Sequence, residues 1–195
     1  MNVKVVKVKK KYSNGSITIS GPSAVGKNTI SKHLAEKYHV PFYDLDELIC
    51  QSTKFNTTKE IIDTLGHAKF KEIQHQELIN LLTKNFNKYF VACGGEILRE
   101  GYDRNTILSN RKLINKYTYN ICIIPSDDID EIIRILYPRL DDGKRNTRTT
   151  GIAEFKKYTE VSIHQYFELA DMIVYIHDAN IDSIVYAIAE ELTNF

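Results

Sequence analysis

One segment constrains this chain more than any other: Gly21-Pro22-Ser23-Ala24-Val25-Gly26-Lys27-Asn28-Thr29. It directly follows the β-branched run Ser16-Ile17-Thr18-Ile19-Ser20 and leads into a stretch with apolar residues at Ile30, Leu34 and Tyr38, the spacing of one helix face. Strand, glycine-bearing loop and helix in that order turn successive backbone N–H groups toward a phosphate. The helix adds its positive end, and a lysine after the second glycine reaches the β- and γ-phosphates. Through Lys27 the segment matches G-x-x-x-x-G-K-S/T, and it departs at the eighth position, where Asn28 replaces the hydroxyl residue. An amide oxygen can ligate a cation or its water, and Thr29 becomes the hydroxyl placed to meet a phosphate oxygen. Gly21, Ser23, Ala24, Val25, Gly26, Lys27, Asn28 and Thr29 are the expected nucleotide-binding set, with ATP and Mg²⁺ as the implied ligands.

The rest of the chain alternates in the same way. Helical periodicity covers about 27–38, 58–66, 68–86, 104–117, 127–137, 152–168 and 180–193, while short apolar runs near 16–20, 41–43, 89–93, 119–124 and 172–176 read as strands. Five strands interleaved with helices predict a three-layer α/β/α fold of the P-loop NTPase type. Its five-stranded parallel sheet is covered on both faces, and ligands gather at the carboxyl ends of the strands. A chain of 195 residues is expected to form one domain, here 16–195, preceded by an extension over 1–15. Residues 1–12 alternate Val and Lys before ending in Lys9-Lys10-Lys11, which suits an edge strand or a solvated basic tail, the tail being the simpler reading. The polar stretch 138–150, with Lys144, Arg145 and Arg148, has the composition of a lid.

Charge and cysteine content narrow the function. A formal net charge of +1 creates no global field for capturing nucleic acid or an anionic membrane. No apolar run has the length of a signal peptide or a bilayer span. Cys50, Cys93 and Cys122 are odd in number and lack zinc-ligand spacing, so they read as reduced core residues. The expectation is a cytoplasmic protein, a monomer or weak homodimer, whose partner is a small molecule.

Phe42-Tyr43-Asp44-Leu45-Asp46 puts two carboxylates just past a strand, on the edge that presents the phosphate loop. Residues two apart in extended chain point the same way, so both can share one cavity, one serving Mg²⁺ through water and the other an acceptor hydroxyl. Capping of a helix beginning near Glu47 is the competing role, and the two can coexist. Gly94-Gly95 suits a tight turn after a buried strand as well as it suits ligand contact. Lys71 taken alone is a solvated helix lysine, since Phe70, Ile73 and Leu78 mark the buried face.

With these motifs the sequence resembles the shikimate kinases, small P-loop enzymes that phosphorylate a ring hydroxyl with ATP. The match runs from Ser16 to Ile49 and continues through Gly66-His67-Ala68-Lys69-Phe70-Lys71, Ala92-Cys93-Gly94-Gly95-Glu96 and Tyr166-Phe167-Glu168-Leu169-Ala170-Asp171, in family order. The resemblance implies transfer of the ATP γ-phosphoryl group to shikimate, giving shikimate 3-phosphate, within aromatic amino acid biosynthesis. It implies that Asp44, with Asn28, serves the metal and that Asp46 binds the substrate hydroxyls and acts as base. Lys71 stands at a carboxylate-binding arginine, and Gly94 and Gly95 bring N–H groups to the substrate. Lys27 and a lid arginine, Arg145 or Arg148, complete the catalytic set, and Arg139 is placed to stack on adenine.

The departures fall on the substrate side. Lys71 replaces arginine, Gln74 replaces glutamate, Glu96 replaces a third glycine, and Ser162 occupies the place of a second arginine. A charge-assisted hydrogen bond lost at about 1.5–3 kcal/mol weakens binding by roughly one to two orders of magnitude, unless Lys156, Lys157 or His164 supplies a cation. Two rival readings follow. Gly-Lys-Asn-Thr is similar to the Gly-Lys-Gly-Thr of adenylate kinases and to the cytidylate kinase loop, which suggests a nucleoside monophosphate kinase. The altered pocket suggests a nucleotide-binding paralogue without turnover.

Overall fold

The computed structural model describes residues 3–7, 12, 15–84, 87–95, 97–98, 104–141, 151–192 and 195. Six strands form one sheet in the order β1-β6-β5-β2-β4-β3. They are β1 (Lys4–Lys7), β2 (Ser16–Ser20), β3 (Phe42–Asp44), β4 (Phe90–Ala92), β5 (Thr118–Ile124) and β6 (Met172–Tyr175). The helices are α1 (Lys27–Tyr38), α2 (Leu45–Thr53), α3 (Thr58–Lys84), α4 (Arg104–Tyr117), α5 (Ile129–Leu136), α6 (Ile152–Leu169) and α7 (Ile181–Glu191).

β2 to β6 are mutually parallel, as expected, but the sheet has six strands rather than five. β1 pairs antiparallel with β6, with Lys4 opposite Tyr175 and Lys7 opposite Met172. Part of the segment read as a solvated tail is therefore an edge strand. Its period-two pattern explains the outcome: Val3 and Val5 pack on the core while Lys4 stays in water.

The topology sorts the helices. From β2 the chain crosses rightward past β4 to β3, whereas β3 to β4, β4 to β5 and β5 to β6 all run the other way. Right-handed crossovers in opposite directions lie on opposite faces, so α1 is on one side, where it packs with α7, and α3, α4 and α6 are on the other. The strands between these layers carry no alternation: all of β2, β4 and β5 is buried, and Ile17, Ile19, Ile30, Leu34 and Ile121 are among the solvent-free side chains.

Local chemistry sets the element ends. Asp128 and Asn180 cap α5 and α7 by accepting from Glu131 N and Ser183 N, at 2.9 and 2.8 Å. α1 stops at His39, in the left-handed region at φ 55°. Gly66, at φ 82° and ψ 161°, breaks α3 where the sequence predicts a boundary between two helices. α2 lay outside the predicted helices except as a segment that Asp44 could cap. The lid stretch begins as a one-turn 3₁₀ helix, Tyr137–Asp141, and 142–150 lies outside the described residues.

Candidate active site

Strand register brings the site together. Asp44 at the end of β3 is level with Ala92 of β4, which is level with Ile19 of β2. The phosphate loop, the two aspartates and the glycine pair thus leave the sheet side by side from one edge, at the carboxyl ends where α/β ligands collect.

The loop after β2 has φ of 138° at Gly21, 65° at Ala24 and 97° at Gly26. Gly21 is required for space as well as for its angle: a side-chain carbon there would collide with the Ile123 carbonyl of β5. α1 starts at Lys27 with no acidic residue in its first turn, which leaves its positive end unopposed within the helix. Lys27 is buried, and its ammonium donates to the carbonyls of Gly21 at 3.0 Å and Pro22 at 2.8 Å. The ammonium is thus held against the loop's own carbonyls.

Asp44 does both things weighed for it locally. Its Oδ1 accepts from Asp46 N at 3.0 Å and caps α2, while Oδ2 accepts from the Asn28 amide Nδ2. Burial pushes the Asp44 carboxyl above its ordinary value, and the N–H groups of Asp46 and Glu47 and the Asn28 amide pull it back. With Nδ2 committed to Asp44, the Asn28 oxygen is the atom able to face a cation. Among the described residues no cluster of three or more His, Cys, Asp or Glu is assembled. One carboxylate beside an amide suits Mg²⁺, which keeps most of its waters and takes phosphate oxygens as further ligands.

Asp46 lies against the glycine pair. A carbon added to Gly94 would stand 2.7 Å from Asp46 Oδ1 and 3.0 Å from Oδ2, and one added to Gly95 would stand 2.8 Å from Ser23 Oγ. The glycine turn therefore touches the Asp46 carboxylate on one side and Ser23 of the loop after β2 on the other. Beneath it Cys93 is buried, which pushes its thiol up to about 12; Asp46 adds to that shift, Lys27 opposes it, and Asp44 adds less. These three charges share one small volume. Tyr166, for which the sequence suggested no role, donates its phenol to Gly95 O at 2.7 Å.

Lys71 is buried rather than solvated, and its ammonium donates to Gln74 Oε1 at 3.4 Å. That bond fixes the Gln74 amide orientation, and Nε2 has no hydrogen-bond partner among the described residues. Ser162 donates to Tyr158 O of its own helix at 2.7 Å. The cations considered as substitutes there do not turn inward: Lys156 pairs with Asp130, and Lys157 and His164 are exposed. Arg139 is exposed on the 3₁₀ turn, and Arg145, Arg148 and Glu96 lie outside the described residues.

A family model described as shikimate kinase matches residues 23–193. The chain belongs to the shikimate kinase family. Within that family it is 24% identical over 177 residues to a shikimate kinase of Dictyoglomus turgidum, spanning 91% of this chain and 96% of the relative. A 97-residue stretch, 50% of this chain, is 33% identical to the pentafunctional AROM polypeptide of Schizosaccharomyces pombe and covers 6% of it. Among solved structures, shikimate kinase from Acinetobacter baumannii in complex with shikimate gives a TM-score of 0.76 at 20% identity, covering 92% of this chain and 93% of that one. Deoxyadenosine kinase from M. mycoides with bound dATP gives 0.59 at 13%, covering 92% of this chain and 100% of that one. The structural likenesses support the P-loop kinase fold, and the family match supports a phosphotransferase with an alcohol acceptor.

Proposed function

We propose that the chain is an ATP-dependent shikimate kinase. The observation that carries this reading is the glycine turn, which touches Asp46 at Gly94 and the phosphate loop at Gly95. A carboxylate suited to a hydroxyl thereby sits one glycine away from the loop that would hold the nucleotide phosphates. Lys27 and the loop amides from Gly21 to Thr29 hold the phosphates. Asn28 and Asp44 would hold Mg²⁺, directly or through water, and the ion would supply positive charge against the nucleotide phosphates.

Asp46 orients the acceptor hydroxyl and takes its proton as that oxygen bonds to the γ-phosphorus. The bond from phosphorus to the β,γ-bridging oxygen breaks, and ADP leaves. Lys71 and the N–H groups of Gly94 and Gly95 position the anionic acceptor, while Arg145 or Arg148 stabilises the transferring phosphoryl group and Arg139 covers adenine. The setting proposed is the cytoplasm, and the chain acts as a monomer or weak homodimer. Among the described residues no helix is long and apolar enough to cross a membrane.

The test is ADP release measured with shikimate, a panel of sugar acids, CMP and AMP. Turnover with shikimate is expected. Faster turnover with CMP or AMP would replace this reading with a nucleoside monophosphate kinase, and nucleotide binding without turnover on any acceptor would favour a non-catalytic role.

A further inference from the structure

The glycine turn has little of its own to keep it in shape. Two consecutive residues without side chains sample wide backbone space, yet the turn must hold Gly94 against the Asp46 carboxylate and Gly95 against Ser23. Among the described residues its backbone supplies two bonds, Cys93 N to Ile19 O at 3.1 Å and Ile97 N to Gly94 O at 3.2 Å. Two side chains supply further bonds from outside. Asn110 of α4 donates Nδ2 to Ile97 O at 3.1 Å, and its own Oδ1 is met by His75 Nδ1 at 2.6 Å. Tyr166 of α6 donates to Gly95 O at 2.7 Å.

The Asn110 bond lies beyond the pair, whereas the Tyr166 bond lies on it. Tyr166 is 1% exposed and ranks among the largest solvent-free side chains, so packing holds its ring and fixes where its hydroxyl ends. That hydroxyl lies 3.5 Å from the point a Gly95 side chain would occupy, beside Ser23 Oγ at 2.8 Å. A rigid phenol thus fastens the carbonyl of Gly95, at the end of the turn that faces Ser23.

We propose that Tyr166 is a positioning residue for the acceptor: by holding Gly95 O it restrains the backbone of the glycine pair, and through that backbone the Gly94 and Gly95 N–H groups and the seat of the Asp46 carboxylate over Gly94. This rests on the reading of the glycine pair as acceptor-facing. Tyr166→Phe removes only the hydroxyl and preserves the ring packing. Water can take its place at Gly95 O, because Gly95 is half-buried.

Two measurements compare Tyr166→Phe with the wild type. Hydrogen exchange of the 93–98 amides in the ligand-free protein is expected to quicken at least about fivefold. The KM for shikimate should rise about five- to tenfold, the size of one lost hydrogen bond, while the KM for ATP and the melting temperature stay put. Unchanged exchange overturns the positioning role, whatever the activity. Quickened exchange with an unchanged acceptor KM overturns its transmission to the acceptor. A parallel change in both KM values and in melting temperature leaves a packing role only, and overturns it too. Failure of the kinase reading would show separately, as a wild type inactive on shikimate, and the exchange result would then decide the positioning role.

Discussion

Gly94 shows what a single atom does in this site. Its φ is not in the left-handed region, so alanine suits the backbone there, but the added carbon would stand 2.7 Å from Asp46 Oδ1. The short carboxylate must turn away. Gly94→Ala is expected to fold with a melting temperature near that of the wild type and to lose about 100-fold in kcat, the usual cost of misplacing a reacting group by about 1 Å. Steady-state kinetics beside a thermal melt checks both halves. That the loop after β2 and the pair Asp44 and Asp46 leave the sheet at one edge was legible in the sequence, because that placement depends on backbone geometry. Lys71 taken alone was not, because a lysine beside the stripe Phe70, Ile73 and Leu78 reads as the solvated edge of a helix; only the family resemblance pointed to it, and the packed structure puts it inside. Tyr166 was legible as the start of a family motif but without a role, since a buried aromatic at helical spacing is first of all core.

At the scale of elements, the break in α3 places Lys71. Gly66 holds φ 82° and ψ 161°, a conformation that side-chain-bearing residues rarely adopt, with open space around it. Gly66→Ala therefore meets no clash, and its cost is conformational, about 1–3 kcal/mol. Urea unfolding should show that loss. A substitution that leaves the midpoint unchanged would mean that the two halves of α3 run straight without penalty. The boundary itself was readable, because a glycine interrupting two apolar periodicities is a strong local signal. α2 and β1 were harder. α2 depends on a cap that Asp44 supplies while also facing Asn28, and β1 depends on a partner strand some 170 residues away along the chain, which local pattern does not reveal.

Across the whole molecule, burial sets the response to alkali. Cys93 and Cys122 are pushed from 9.0 to about 12, and Tyr12, Tyr89 and Tyr119 from 10.0 to about 12, in every case chiefly by burial. Each group holds its proton more tightly in the folded chain than in the unfolded one. The stability this contributes is complete below the unfolded values and is lost as pH rises through the folded ones. Denaturant midpoints should be insensitive to these groups up to about pH 9 and fall steadily from there toward about pH 12. A flat profile across that window would show that the thiols and phenols ionise without unfolding. Fold class was legible at this scale because strand, loop and helix alternate with little room for another layout. The extra edge strand and the orientation of the pocket polar groups were set by contacts between distant parts of the chain.

The seating of Gly21 under the Ile123 carbonyl bears on the proposed nucleotide site. The cradle rests on the end of β5, the longest strand and one wholly buried along its length, and is not a flap waiting for its guest. For the nucleotide site proposed above, that seating predicts amides aimed before the ligand arrives and little ordering entropy left to lose.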